Sequence, residues 1–202
     1  MNKLRAEGEL KMTESEDRGH KIFLMKHGRD DINQRFASVS PDGVAAAMSQ
    51  QSEAGFVFED KGICPVGCAM CDVGGEKLSD TKDRKDYAPV PGYPRERNCI
   101  RCRFFLTGPA WVHALNAKFN YIAYEAMLAA ERYNRFTEQV ATLEEQRSEC
   151  ETKGSLFTAT IELEKKSALL EAETQTLDRW VTDLQAIQRL ILRCIEINKN
   201  AA

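Results

Sequence analysis

The chain has 202 residues, enough for one or two small domains, and its 28 basic and 31 acidic side chains give a formal net charge of −3. This charge excludes a global attraction to nucleic acid or membrane, so any such contact has to come from a local patch. The N-terminus lacks the apolar core of a signal peptide, and no run approaches the roughly 20 apolar residues of a membrane span. We therefore expect a helix-rich cytoplasmic protein with neither a membrane partner nor a small-molecule substrate.

The first patterned stretch is a helix start. Ser40 and Pro41 have the chemistry typical of the N-cap and N1 positions, which predicts a short helix from Pro41 to about Gln50. Its apolar face would be formed by Val44, Ala45 and Met48. Farther along, residues 56–58 (FVF) predict a short strand.

Residues 24–41 read LMKHGRDDINQRFASVSP. This run resembles the C-terminal signature of tyrosine recombinases, the phage-integrase family, with His27 at the histidine, Arg35-Phe36-Ala37 at the Arg-Tyr-Ala and Ser40-Pro41 at the following helix start. In that family the tyrosine is the nucleophile, and a phenyl ring has no oxygen to attack phosphorus. The resemblance therefore implies a chain that is not itself an active recombinase. Read without the family, Phe36 is a core residue and His27 a surface histidine.

Five of the seven cysteines fall within 39 residues of one another, and they are Cys64, Cys68, Cys71, Cys99 and Cys102. Two C-x-x-C pairs lie among them, and each pair can set two thiolates about 3.5–4 Å apart, the edge of a tetrahedral zinc site. Four thiolates leave no open coordination position, so the sequence predicts one structural zinc ion. The spacing leaves open which cysteine is not a ligand.

Other interpretations of the cysteines are disulfides, free thiols or a redox pair. Structural disulfides are rare in the cytosol, and no βαβ pattern surrounds either C-x-x-C pair. His113 is an alternative fourth ligand, while Cys150 and Cys194 are expected to be a surface and a core thiol.

Four arginines surround the second cysteine pair, and they are Arg95, Arg97, Arg101 and Arg103. They are candidate DNA contacts, because a guanidinium matches phosphate oxygens bidentately. The alternative is that they offset thiolate charge or pair with neighbouring acids. The surrounding residues 76–97 are polar, contain three prolines and predict an exposed loop.

The C-terminal half predicts two long helices. Pro109 suits the first position of the first helix, whose apolar residues recur at alternating steps of four and three from Leu115 to Leu143. Gly154 is placed for a C′ cap, and leucines then recur at steps of seven from Leu156. The short break predicts an antiparallel pair, packed better at its base than at its tip.

The expected fold is mainly α. It comprises a short helical recombinase-like remnant at residues 1–52, a four-cysteine zinc-knuckle module at 53–106 and an antiparallel coiled-coil-like hairpin at 107–202. The segment CIRCRFFLTGPAWV and the helical pair after it resemble the tail of gamma-mobile-trio integrases of bacterial mobile elements. The two resemblances together imply the non-catalytic C-terminal portion of a DNA integrase, whose helical arm contacts DNA or other recombination subunits. The alternative is a zinc-stapled coiled-coil scaffold that binds protein and has no nucleic-acid role.

Overall fold

The computed structural model of the chain describes residues 35–41, 43–49, 56–81 and 84–200. The helices are α1 (Gly43–Ser49), α2 (Val112–Thr152) and α3 (Thr160–Asn200), and the strands are β1 (Val57–Glu59), β2 (Gly62–Cys64), β3 (Lys77–Thr81) and β4 (Arg84–Tyr87). β1 pairs with β2 and β3 with β4, both antiparallel. The predicted mainly helical class and the two long paired helices are confirmed, and the zinc module stays a prediction.

The described residues form two compact units. One holds those up to Asn116 together with those from Ala186 on, and the other is Ala117–Gln185. The domain boundaries expected from the sequence near residues 52 and 106 stay a prediction. We refer to the first unit as the base and to the second as the arm.

The base has a core of apolar side chains and buried cysteines. Its largest fully buried members include Phe104, Phe105, Leu106, Val66 and Val90. The chain segment before α1 joins this core through an antiparallel bridge between Ala37 and Thr107, and β2 joins it through a bridge between Ile63 and Leu106. Backbone pairing therefore ties three distant stretches of sequence into one unit.

The ends of the long helices also belong to the base. Leu115 at the start of α2, and Ile187, Leu190 and Cys194 near the end of α3, are fully buried. Arg193 donates a hydrogen bond to the carbonyl oxygen of Ser38 at 3.1 Å. The last turns of α3 are thus held against the segment that precedes α1.

Within the arm, side-chain pairs show that α2 and α3 run antiparallel. Arg132 Nε lies 2.9 Å from Glu173 Oε1, and the rings of Tyr121 and Trp180 meet edge to face at 6.5 Å between centroids. Arg132 lies after Tyr121 in α2, whereas its partner Glu173 lies before Trp180 in α3, so the two helices run in opposite directions. The seam between them buries the predicted residues Ile122, Ala126, Ala129, Val140 and Leu163.

The connection between the long helices confirms one prediction and corrects another. Gly154 has φ +67°, the left-handed conformation expected at C′ after α2 ends at Thr152. However, α3 begins at Thr160 and not at the first leucine of the repeat, Leu156, whose side chain is 86% exposed. The heptad spacing therefore extends beyond the helix.

Two further expectations differ from the structure. Residues 76–97 are not entirely a loop, because β3 and β4 lie inside them. α1 buries Val44 and Ala47, whereas Ala45 is only half-buried and the side chain of Met48 lies outside the described residues. Among the described helices, none contains a segment long and apolar enough to cross a membrane.

Candidate metal centre

All five clustered cysteines are placed by short turns of the base. Cys64 ends β2, Cys71 begins a 3₁₀ turn (Cys71–Val73), and Cys99 begins another (Cys99–Arg101), with Cys102 directly after it. Cys68 lies in the turn between the first two, with φ +63°. All five are free thiols.

The structure brings these thiols together from two segments that are far apart in sequence. Cys64 interacts with Cys68, Cys99 and Cys102, while Cys71 interacts with Cys68 and Cys102. Cys64, Cys71 and Cys102 are buried, and the other two are half-buried. The predicted clustering is therefore present, although in the described part of the chain no three Cys, His, Asp or Glu side chains are positioned to hold a metal ion together.

The other sulfur and imidazole candidates lie elsewhere. Cys194 is buried near the end of α3 and Cys150 is half-buried near the end of α2, so neither belongs to the cluster. His113 is exposed on the first turn of α2. The thiols in the base are thus the donor set that merits a test for zinc.

Burial raises the pKa of four of the clustered thiols, those of Cys68, Cys71, Cys99 and Cys102. Burial, helped by the carboxylate of Glu59 and by the neighbouring sulfurs, raises the pKa of Cys99 strongly. Burial raises the pKa of Cys102 to about 12, against the lowering effect of backbone amides. Burial is also the main cause that raises the pKa values of Cys68 and Cys71.

Several donors point at the sulfurs and favour their charged form. The backbone N–H of Cys68 donates to Cys64 Sγ at 3.3 Å, and the guanidinium of Arg97 donates to Cys71 Sγ at 3.8 Å. The backbone amides of Phe104 and Phe105 lower the pKa of Cys102, against the larger raising effect of burial. Such donors favour the thiolate form that zinc binds, and a structural zinc ion at these sulfurs stays a prediction.

The four candidate DNA-contacting arginines have different surroundings. Arg97 faces the thiols, Arg101 Nη2 lies 2.6 Å from Glu76 Oε1, and the guanidinium of Arg103 lies 3.6 Å from the ring centroid of Tyr87 and 4.5 Å from that of Phe104. Arg95 is exposed. Three of the four therefore make contacts within the base, and two of these, Arg97 with a thiol and Arg101 with a carboxylate, are of the kind that the charge-offsetting alternative expects.

Two residues of the site were missed by sequence reasoning. Glu59 ends β1 and contacts the Cys99 thiol, and Ser38 Oγ donates to the Arg103 carbonyl at 2.9 Å. The strand Phe56–Phe58 was predicted, so Glu59 could have been found by asking which polar residue follows it. Nothing in the sequence marks Ser38, because its partner is a backbone carbonyl.

The recombinase-like positions are described only from Arg35 onward, so His27 lies outside the described residues. Phe36 is half-buried and packs against the core of the base, and Ala37 is fully buried. The peptide groups of Ala37 and Thr107 exchange hydrogen bonds of 2.7 and 2.9 Å. Position 36 is thus a packing position in this fold.

Comparisons with known proteins add no relative: no family model, curated protein or solved structure matches the chain.

Proposed function

We propose that this chain is a non-catalytic module of a DNA recombination protein of a mobile genetic element, in which a zinc-stapled base is combined with a two-helix arm for subunit contacts. The observation that carries the proposal is the packing of the recombinase-like residues. Phe36 and Ala37 belong to the core that also contains the cysteines. The described end of the recombinase-like segment, from Arg35 on, therefore packs together with the cysteine module.

Catalysis by this chain is not part of the proposal. The phenyl ring at position 36 cannot form a phosphotyrosyl link, and it packs against the core. A closed shell of four thiolates around zinc supplies no open coordination position for activating water. The metal would instead hold the segment 64–71 to the segment 99–102.

The charge of the arm favours protein over DNA as its partner. Residues 117–185 contain 13 acidic and 8 basic side chains, a net charge of −5, so a DNA backbone would be repelled along its length. The arm also exposes large apolar side chains on one stretch of α2, with Tyr121, Tyr124 and Met127 each at least half exposed. Tyrosine and methionine are enriched in protein interfaces.

Any DNA contact is therefore assigned to the base. If all four arginines near the second cysteine pair bound phosphate, raising the salt from 50 to 200 mM would weaken binding about 150-fold, from a slope of roughly −0.9 per phosphate. If only Arg95 did so, the same change would weaken binding about 3-fold. Three of the four arginines already make contacts within the base. We therefore expect the rise in salt to weaken DNA binding by a factor closer to 3 than to 150.

The experiment is a titration of zinc-loaded protein with a generic DNA duplex at both salt concentrations, with Arg95→Gln beside it. Salt-sensitive binding that Arg95→Gln weakens supports the proposal. A matched control is Arg147→Gln on the acidic arm, which should leave DNA binding unchanged. Absence of binding at the lower salt would refute a DNA-directed base.

A protein-binding scaffold without a nucleic-acid role is the second candidate function. The specific observation in its favour is that Arg97, Arg101 and Arg103 already have partners inside the base. This candidate predicts no DNA binding at either salt concentration, together with association through the arm that persists when salt is raised.

A further inference from the structure

The outer face of α2 carries a patch of large apolar side chains, which we call the α2 patch. Its members are Tyr121, Tyr124 and Met127, which are 50%, 55% and 50% exposed. Each follows the previous one by three residues, so the three lie on one side of the helix. The seam residues Ile122 and Ala126 are buried on the other side. The α2 patch is therefore open to a partner while α2 stays packed against α3.

The ring of Tyr121 is held in place by two contacts within the arm. The ring of Trp180 meets it edge to face at 6.5 Å between centroids, and Lys118 Nζ lies 4.6 Å from its centroid. An aromatic ring that is already fixed loses little conformational entropy on binding, which favours its use as an interface anchor. Tyr121 thus forms a preorganised end of the α2 patch.

The charge around the α2 patch differs from that of the rest of the arm. Residues 117–134 contain two basic and two acidic side chains and have no net charge, whereas residues 135–185 contain 11 acidic and 6 basic ones, a net charge of −5. A second copy is repelled by most of the arm but not by this segment. A strongly basic partner would instead be attracted to the acidic remainder. The charge distribution therefore favours a second copy of this chain as the occupant.

We propose that two copies of the chain pair through the α2 patch, with their α2 helices antiparallel about a two-fold axis at Tyr124. This pairing sets Tyr121 at the level of Met127 of the second copy. It also sets Lys118 at the level of the exposed Glu131 of the second copy, so opposite charges meet at both ends of the patch. A parallel pairing would set Lys118 against Lys118 and Glu131 against Glu131. The charges thus select the antiparallel arrangement.

The area of the α2 patch predicts how strong the dimer is. A tyrosine side chain buries about 150–250 Å², so two tyrosines and a methionine at about half exposure offer on the order of 300 Å² per copy. Stable interfaces bury about 800 Å² per partner. We therefore expect a weak dimer whose population depends on protein concentration. This inference rests on the proposed role of the arm in subunit contacts, whose partner it names.

Sedimentation equilibrium of the full chain under reducing conditions, from about 5 to about 500 μM, tests the pairing. The wild type should shift from monomer toward dimer over this range. Tyr124→Glu should weaken dimerisation about 10-fold or more, because it sets two carboxylates against each other at the two-fold axis. The control Gln146→Glu adds the same charge at an exposed position of α2 outside the patch and should leave the dimer unchanged.

Far-UV circular dichroism of both variants checks that their helices are intact. A wild type that stays monomeric up to the highest concentration would overturn the proposal. Dimerisation of helical Tyr124→Glu as strong as that of the wild type would also overturn it.

Exchanging the charges at the ends of the patch tests the antiparallel arrangement. Lys118→Glu and Glu131→Lys should each weaken the dimer about 2- to 10-fold, because each sets like charges against each other at both ends. The variant with both substitutions restores opposite charges and should dimerise like the wild type. A double variant that dimerises no better than the single ones would refute the antiparallel pairing.

The sedimentation measurement and the DNA titration can fail independently. A chain that binds DNA in a salt-sensitive manner but stays monomeric refutes the second copy as partner and leaves the DNA-directed base standing. A chain that dimerises through the α2 patch and binds no DNA refutes the DNA-directed base and leaves the pairing standing.

Discussion

One ion pair joins the two helices of the arm, and its contribution can be measured by a double-mutant cycle. Arg132 Nε lies 2.9 Å from Glu173 Oε1, and the two side chains are 37% and 20% exposed. At that distance the attraction is about 1.4 kcal/mol in water and about 6 kcal/mol at an effective dielectric constant of 20. Because solvent reaches both side chains and screens the pair, we expect a coupling energy of about 1 kcal/mol.

The cycle consists of Arg132→Ala, Glu173→Ala and the double variant, with the free energy of unfolding obtained from urea titrations followed by far-UV circular dichroism. Removing Arg132 should cost more than the coupling energy alone, because it leaves the less exposed Glu173 carboxylate without this partner. The exchanged pair Arg132→Glu with Glu173→Arg should recover most of the loss. The exposed same-helix pair Arg147–Glu151 is the matched control, with an expected coupling of about 0.3–0.5 kcal/mol. Additive effects of the two alanine substitutions would refute a stabilising interaction between Arg132 and Glu173.

Three further predictions concern the base. Phe36→Tyr should form no covalent adduct with DNA on a denaturing gel, because the residue packs against the core. A protein–DNA adduct would contradict the non-catalytic proposal. Leu190→Ala should lower the free energy of unfolding by about 2–5 kcal/mol, since the Leu190 side chain is fully buried. The control Leu192→Ala, at a side chain that is 58% exposed, should change it by less than about 0.5 kcal/mol. Equal losses would show that the buried face of α3 is wrongly assigned. The metal-free protein should lose stability as the pH rises above the ordinary thiol pKa of about 8.5, because burial raises the pKa of Cys102 to about 12 and a buried thiol resists ionisation. With zinc bound, the free energy of unfolding should fall less over the same pH range, because thiols that bind the metal are already deprotonated. Identical pH profiles with and without zinc would argue against coordination.

The elements predicted best from the sequence are those with strong local signals. The seam of α2 recurs over four heptads, and Ile122, Ala126 and Ala129 on it are buried as expected. Gly154 marks the end of that helix because few other residues tolerate its positive φ. The clustering of the cysteines followed from the geometry of C-x-x-C turns.

The elements that escaped prediction lack such signals. β3 and β4 are joined by backbone hydrogen bonds, and their described residues at 77 and 78 are exposed, so no apolar alternation marks them. Leu156 continues the heptad spacing but lies in the connection, where chain reversal prevents helix formation. The link from Arg193 to the Ser38 carbonyl joins residues 155 positions apart, and no local pattern encodes it.

The most direct test of the account is the zinc content of the purified wild-type chain, measured by elemental analysis after exhaustive dialysis under reducing conditions. The account predicts about one zinc ion per chain, lost together with the protection of the clustered thiols when a strong chelator is added. A chain that contains no zinc, does not take it up on addition and still folds its base would contradict the central claim.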